Sequence, residues 1–270
     1  MPGASTPARR QPLFTHLSET VAPVGFAVLS FDRRPAERGG DTPLDVQARD
    51  ALTAAAVLRD RLGVRIGLFG FSQGAWAAAL AASRSEDVAF LAVLGCSGVS
   101  PAQQMRFLTD EALRRAGFAD ADRGQAVALR LAIEDVLRGG ADREAAAALL
   151  ADAVHRPWFA LVYLPATLPA EGARWADMDY DPCPSFAGVH CPTLAMYGED
   201  EETVPAEVSK DAWRQAAMAS GNGDVSIVDL PGCGHFPASP DQQDQVSSIA
   251  VADISPAYTA ALRGWFAHRP

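Results

Sequence analysis

No run of apolar residues in this chain approaches the ~20 that a helical membrane span requires. The first ten residues, Met1 to Arg10, are small, polar and basic, and lack the apolar centre of a secretion signal. A cytoplasmic protein with no membrane partner is therefore expected. Cysteine is scarce: Cys96, Cys183, Cys191 and Cys233 include no CxxC pair and no metal-ligand spacing. Free thiols are expected, with a Cys183–Cys191 bridge as the alternative. Nothing in the sequence calls for a cofactor or a metal. Basic residues are also in deficit, 23 Lys and Arg against 33 Asp and Glu, for a net charge of −10. A nucleic-acid surface needs the reverse, and strongly anionic substrates are disfavoured for the same reason. What remains is the composition of a globular protein, 49% hydrophobic over 270 residues, with room for one large domain or a core carrying an insertion.

Short β-type runs alternate with helical patterns, which predicts an α/β fold with a mostly parallel sheet and helices on both faces. Strands are expected over residues 25–31, 64–69, 88–94, 192–197 and 225–230. Helices are expected over 43–62, 75–83, 205–220 and from Ser255-Pro256 to near Trp265-Phe266. The alternation breaks between residues 101 and 186. Three helices are expected there, one capped by Ser100-Pro101, one over 121–138 and one over 142–154. A stretch rich in proline and aromatics follows, too long for an ordinary connection. The expected organisation is a core made of 1–100 and 187–270, with 101–186 inserted as a helical cap. The cluster from Trp158 to Tyr163 would either wall a substrate pocket or pack as plain core.

Acyl transfer requires a nucleophile, a base, an acid to orient the base, and donors for the oxyanion. Gly70-Phe71-Ser72-Gln73-Gly74 lies between an expected strand and an expected helix. A sharp turn there exposes a serine at the sheet's carboxyl edge, and both flanking glycines are expected to avoid collisions. Ser72 is thus the candidate nucleophile. Of five histidines, His235 lies in a loop just past the last expected strand and is the candidate base. His16, His155, His190 and His268 have no such context. The acid should precede the histidine, within Glu199-Asp200-Glu201-Glu202.

With the serine elbow, the runs Gly25-Phe26-Ala27-Val28-Leu29-Ser30-Phe31-Asp32-Arg33-Arg34, Asp179-Tyr180-Asp181-Pro182 and Cys191-Pro192-Thr193-Leu194-Ala195-Met196-Tyr197-Gly198 resemble the α/β-hydrolase superfamily. The likeness is to its capped dienelactone-hydrolase-like and prolyl-oligopeptidase-like esterases, and it covers essentially the whole chain. It implies a serine hydrolase acting on an ester, thioester, lactone or amide of a small to medium apolar substrate. Acyltransferase or cyclase chemistry, and a non-catalytic binding protein, are the alternatives. The family's acid position falls on Glu201, while Asp200 carries the more usual side chain one place earlier. The resemblance implies oxyanion donors at the N–H of Gln73 and at Ala4 or Ser5. At the start of the chain Pro2 stands where the family has a histidine, and the strand expected before it is absent. Three explanations remain open: a longer working protein, a gap filled by another segment or by a second copy in a homodimer, or loss of catalysis.

Overall fold

The computed structural model describes residues 12–34, 42–140, 142–239 and 249–269. They fall into two compact units. One consists of residues 99–181 with 202–205; the other holds the described parts of 2–98, 182–201 and 206–270.

The larger unit is built on a parallel sheet whose order is β1 (Ile66–Phe71), β2 (Val88–Leu94), β3 (Thr193–Gly198) and β4 (Val225–Leu230). β3 is buried throughout and β2 nearly so, which is why both read as continuous apolar runs rather than alternating ones. Ala92, Leu94, Leu194 and Met196 join α1 (Pro12–Val21) and α9 (Pro256–Phe266) in one core cluster. The residues between them, Leu91, Val93, Ala195 and Tyr197, are equally buried and face the other side of the sheet by strand alternation. α2 (Leu44–Leu62) packs on α3 (Gln73–Ala82), α3 on α7 (Cys183–Ala187) and α7 on α8 (Ala206–Ser220). The alanines of α3, buried from Ala75 to Ala82, let that helix lie close against β1 and β2.

Residues 25–31 are not a strand in the described structure. Their burial alternates: Phe26 and Val28 pack against the core cluster, whereas Leu29 is 54% and Phe31 44% exposed. One face is covered, and no ladder partner lies beside the segment among the described residues. An apolar run supplies the side chains of a strand but not its hydrogen-bonding neighbour. The strand expected at 64–69 runs instead over 66–71, because Phe71 still pairs with Leu94. α1 and α7 were not signalled; α1 is one short turn pattern, Leu13, Leu17 and Val21.

In the smaller unit α4 (Pro101–Arg115) opens on a reciprocal cap. Ser100 Oγ accepts from the Gln103 N–H at 3.3 Å, and the Gln103 side chain accepts from the Ser100 N–H at 3.0 Å. α5 (Asp120–Arg138) and α6 (Arg143–Ala153) follow, around a core of Leu113, Leu129, Ile133, Leu150, Trp158 and Val162. Trp158 is therefore core here. Among the described residues no helix is long and apolar enough to cross a membrane, and all the cysteines are free.

Candidate active site

All four strands of the larger unit run parallel, with Phe71 opposite Leu94, Leu94 opposite Met196 and Gly198 opposite Leu230, so that β3 and β4 end two residues beyond β1 and β2. Whatever follows each strand therefore emerges on the same edge. Ser72 follows β1 with φ 53° and ψ −122°, a conformation that L residues adopt only when the surroundings impose it. Its N–H donates to the Leu94 carbonyl at 2.9 Å, and its own carbonyl accepts from the Ala75 N–H at 2.9 Å. Gly70 is needed for this turn: a Cβ there would stand 2.4 Å from the Gly74 carbonyl oxygen and 2.6 Å from Ala75 Cα. Gly74 is not needed for space, since a Cβ there meets nothing within 4 Å among the described residues. That corrects the expectation that both glycines avoid collisions.

His235 belongs to the loop after β4 and must return across the sheet to reach Ser72. The loop is held at β3, where the Asp200 N–H donates to the Cys233 carbonyl at 2.9 Å and the Glu199 N–H to Leu230 at 3.0 Å. Gly198 permits the approach, as a Cβ there would lie 2.2 Å from the Gly234 carbonyl oxygen. The imidazole then rests against Phe71, ring centroids 5.1 Å apart. Its Nε2 lies 3.0 Å from Ser72 Oγ and its Nδ1 2.8 Å from Glu201 Oε1. A carboxylate accepts, so the Nδ1–H donates to Glu201, and Nε2 is left to accept the Ser72 hydroxyl. The Glu201 side chain is 2% exposed and that of His235 11%.

The structure thus brings Ser72, His235 and Glu201 together. The carboxylate on the imidazole is that of Glu201, whereas Asp200 is exposed and gives its backbone N–H to the histidine loop. Gln73 begins α3, so its N–H is one of those a helix start leaves without an intrahelical acceptor. Its side-chain Oε1 accepts from Arg33 Nη1 at 2.5 Å, a tie from the 25–34 segment that no sequence motif announced. Ala4 and Ser5 lie outside the described residues.

His16 is buried between α1 and α9, its Nε2 2.9 Å from Thr259 Oγ1; His155, His190 and His268 are exposed. Among the described residues no group of three His, Cys, Asp or Glu side chains could hold a metal ion. Two surface hollows, one lined by Arg143, Leu150 and Leu168, the other by Arg59, Ile66 and Asp87, contain none of Ser72, His235 and Glu201.

The sequence profile of the alpha/beta hydrolase family matches residues 2–249. Among solved structures, the chain is similar to a monoacylglycerol lipase of Paleococcus ferrophilus, at 16% identity and a TM-score of 0.52 over 96% of this chain and 90% of that one. A Pyrococcus furiosus esterase matches at 13% identity and TM-score 0.51, over 91% and 77% of the two chains. A proline iminopeptidase of Mycobacterium smegmatis matches at 17% identity and TM-score 0.50, over 94% and 84%. These likenesses bear on the fold. No curated protein sequence matches significantly.

Proposed function

The chain belongs to the alpha/beta hydrolase family, and from that premise we propose that it is a serine hydrolase working through an acyl-enzyme. The observation that carries the reading is the continuous hydrogen-bonded path from Ser72 Oγ through the His235 imidazole to Glu201. Ser72 attacks the acyl carbonyl while His235 Nε2 takes the hydroxyl proton, and Glu201 steadies the imidazolium that forms. The oxyanion of the tetrahedral intermediate accepts from the Gln73 N–H and from a second donor, assigned to Ala4 or Ser5. His235 then passes its proton to the leaving alcohol, thiol or amine. Water, deprotonated by the same nitrogen, releases the acid.

The substrate class we assign is an uncharged ester, thioester, lactone or amide of small to medium size with an apolar acyl group. The net charge of −10 supports an uncharged acyl group over an anionic one. Labelling with a fluorophosphonate probe tests the mechanism. Wild type should label and Ser72→Ala should not, and short-chain p-nitrophenyl esters should turn over only with the wild type. A well-folded wild type that neither labels nor turns over would end the proposal.

A further inference from the structure

The imidazole of His235 does not stand on Ser72 and Glu201 alone. Besides Phe71, it is approached by Gly95, the first residue after β2, with φ 59°. A Cβ at Gly95 would lie 2.7 Å from His235 Cε1 and 2.9 Å from Nδ1. The absence of a side chain at Gly95 thus leaves room for the ring, which also lies against Phe71.

The turn itself is tied down on every side. The Gly95 N–H donates to the Met196 carbonyl at 2.9 Å, and the Leu94 carbonyl accepts the Ser72 N–H at 2.9 Å. Ser97 O accepts from Trp76 Nε1 on α3 at 2.6 Å, and the Gly98 N–H donates to Ser209 Oγ on α8 at 2.9 Å. Between these anchors the Cys96 carbonyl accepts from the Tyr197 hydroxyl at 2.6 Å. Tyr197 and Cys96 are both fully buried. Burial holds the Tyr197 phenol well above its ordinary pKa, so it remains a neutral donor. The hydroxyl is the one side-chain group that fixes the carbonyl next to Gly95 among the bonds described.

We propose that Tyr197 is a positioning residue for catalysis: its hydroxyl, through the Cys96 carbonyl, fixes the Gly95 seat that aligns His235 with Ser72. The inference rests on the serine-hydrolase reading for its consequence, but the alignment itself exists in the resting protein. A purely structural tyrosine would lose stability on Tyr197→Phe and leave the imidazole where it is. A positioning tyrosine would move it.

The experiment compares wild type and Tyr197→Phe, labelled with ¹⁵N at the histidine rings. In the resting enzyme the hydrogen-bonded Nδ1 proton of His235 and the ring nitrogen shifts are followed across pH, with His235→Asn to assign the signals. We expect Tyr197→Phe to shift or broaden the His235 signals. It should also lower kcat on a p-nitrophenyl ester about 10-fold with KM within about twofold, since small misalignments cost rate rather than binding. A folded Tyr197→Phe with wild-type His235 signals overturns the proposal. If that variant does not fold, Gly95→Ala, whose methyl would enter the space of the imidazole, tests the seat itself, and unchanged His235 signals there overturn the proposal. Absence of fluorophosphonate labelling in wild type would instead sink the serine-hydrolase reading, while the resonance comparison would still decide the role of Tyr197.

Discussion

Glu201 Oε1 meets His235 Nδ1 at 2.8 Å, while Asp200, its neighbour in sequence, gives its backbone N–H to the Cys233 carbonyl of the same loop. The two acids therefore have separable duties. Glu201→Gln should lower kcat about 10³- to 10⁴-fold, the scale on which losing the orienting carboxylate acts in a serine triad. Asp200→Asn keeps the backbone bond and should leave kcat within about twofold, because the proposed proton path runs through Glu201 and not through its side chain. Steady-state kinetics on one ester would check both. A larger loss in Asp200→Asn than in Glu201→Gln would reverse the assignment.

Gly70 and Gly74 flank Ser72 symmetrically in sequence but not in space. Gly70→Ala drives a methyl into backbone atoms of Gly74 and Ala75 at 2.4 and 2.6 Å. Neither can give way without moving the Ser72 turn. It should cost about 1–3 kcal/mol or more of stability and most of the fluorophosphonate labelling. Gly74→Ala meets open space among the described residues and exchanges a poor helix former for the best. It should be neutral or stabilising by up to ~1 kcal/mol. Urea melts of the two variants, with labelling rates beside them, test the pair.

The serine turn was legible because its signal is local: a strand, two glycines and a helix within a few residues dictate one geometry. The histidine was legible by its place after the last strand. The family register pointed to Glu201 over Asp200, and it is the Glu201 carboxylate that meets the imidazole; the Asp200 N–H bond to the Cys233 carbonyl was not legible. The seat at Gly95 and the Tyr197 hydroxyl were invisible for a plainer reason. The Tyr197–Cys96 hydrogen bond beside that seat joins residues 101 apart, and no periodicity reports such a contact. Residues 25–31 show the converse failure, where side-chain pattern pointed to a strand but pairing depends on a neighbour.

His16 should make the α1–α9 contact sensitive to acid. Its imidazole is buried against Thr259 and Tyr258. Its pKa is lowered from 6.5, first by burial and then by the Arg263 charge, with Glu19 opposing. A base whose folded pKa lies below its unfolded value is protonated more readily in the unfolded chain. Its contribution is complete above pH 6.5 and is lost as pH falls through the folded value. Wild type should therefore lose stability between pH 7.5 and 5, and His16→Gln should lose less over the same interval. Equal slopes in urea melts at the two pH values would exclude His16 as the source.

Arg130 offers the matching test in the helical unit. It is 5% exposed, with Nε donating to Thr109 Oγ1 at 2.6 Å and Nη2 to the Val162 carbonyl at 2.5 Å. Burial brings its pKa down to about 10, against the pull of Glu134, whose own carboxyl is raised by burial. Arg130→Met keeps the apolar stem but leaves the Val162 carbonyl without this donor, at a cost of roughly 1–3 kcal/mol. It also removes a positive charge that offsets the burial of Glu134. Glu134→Gln should consequently cost less in the Arg130→Met background than in wild type. A double-mutant cycle from denaturant melts measures that difference. Strict additivity would show that the two charges are stabilised independently, each by its own hydrogen bonds.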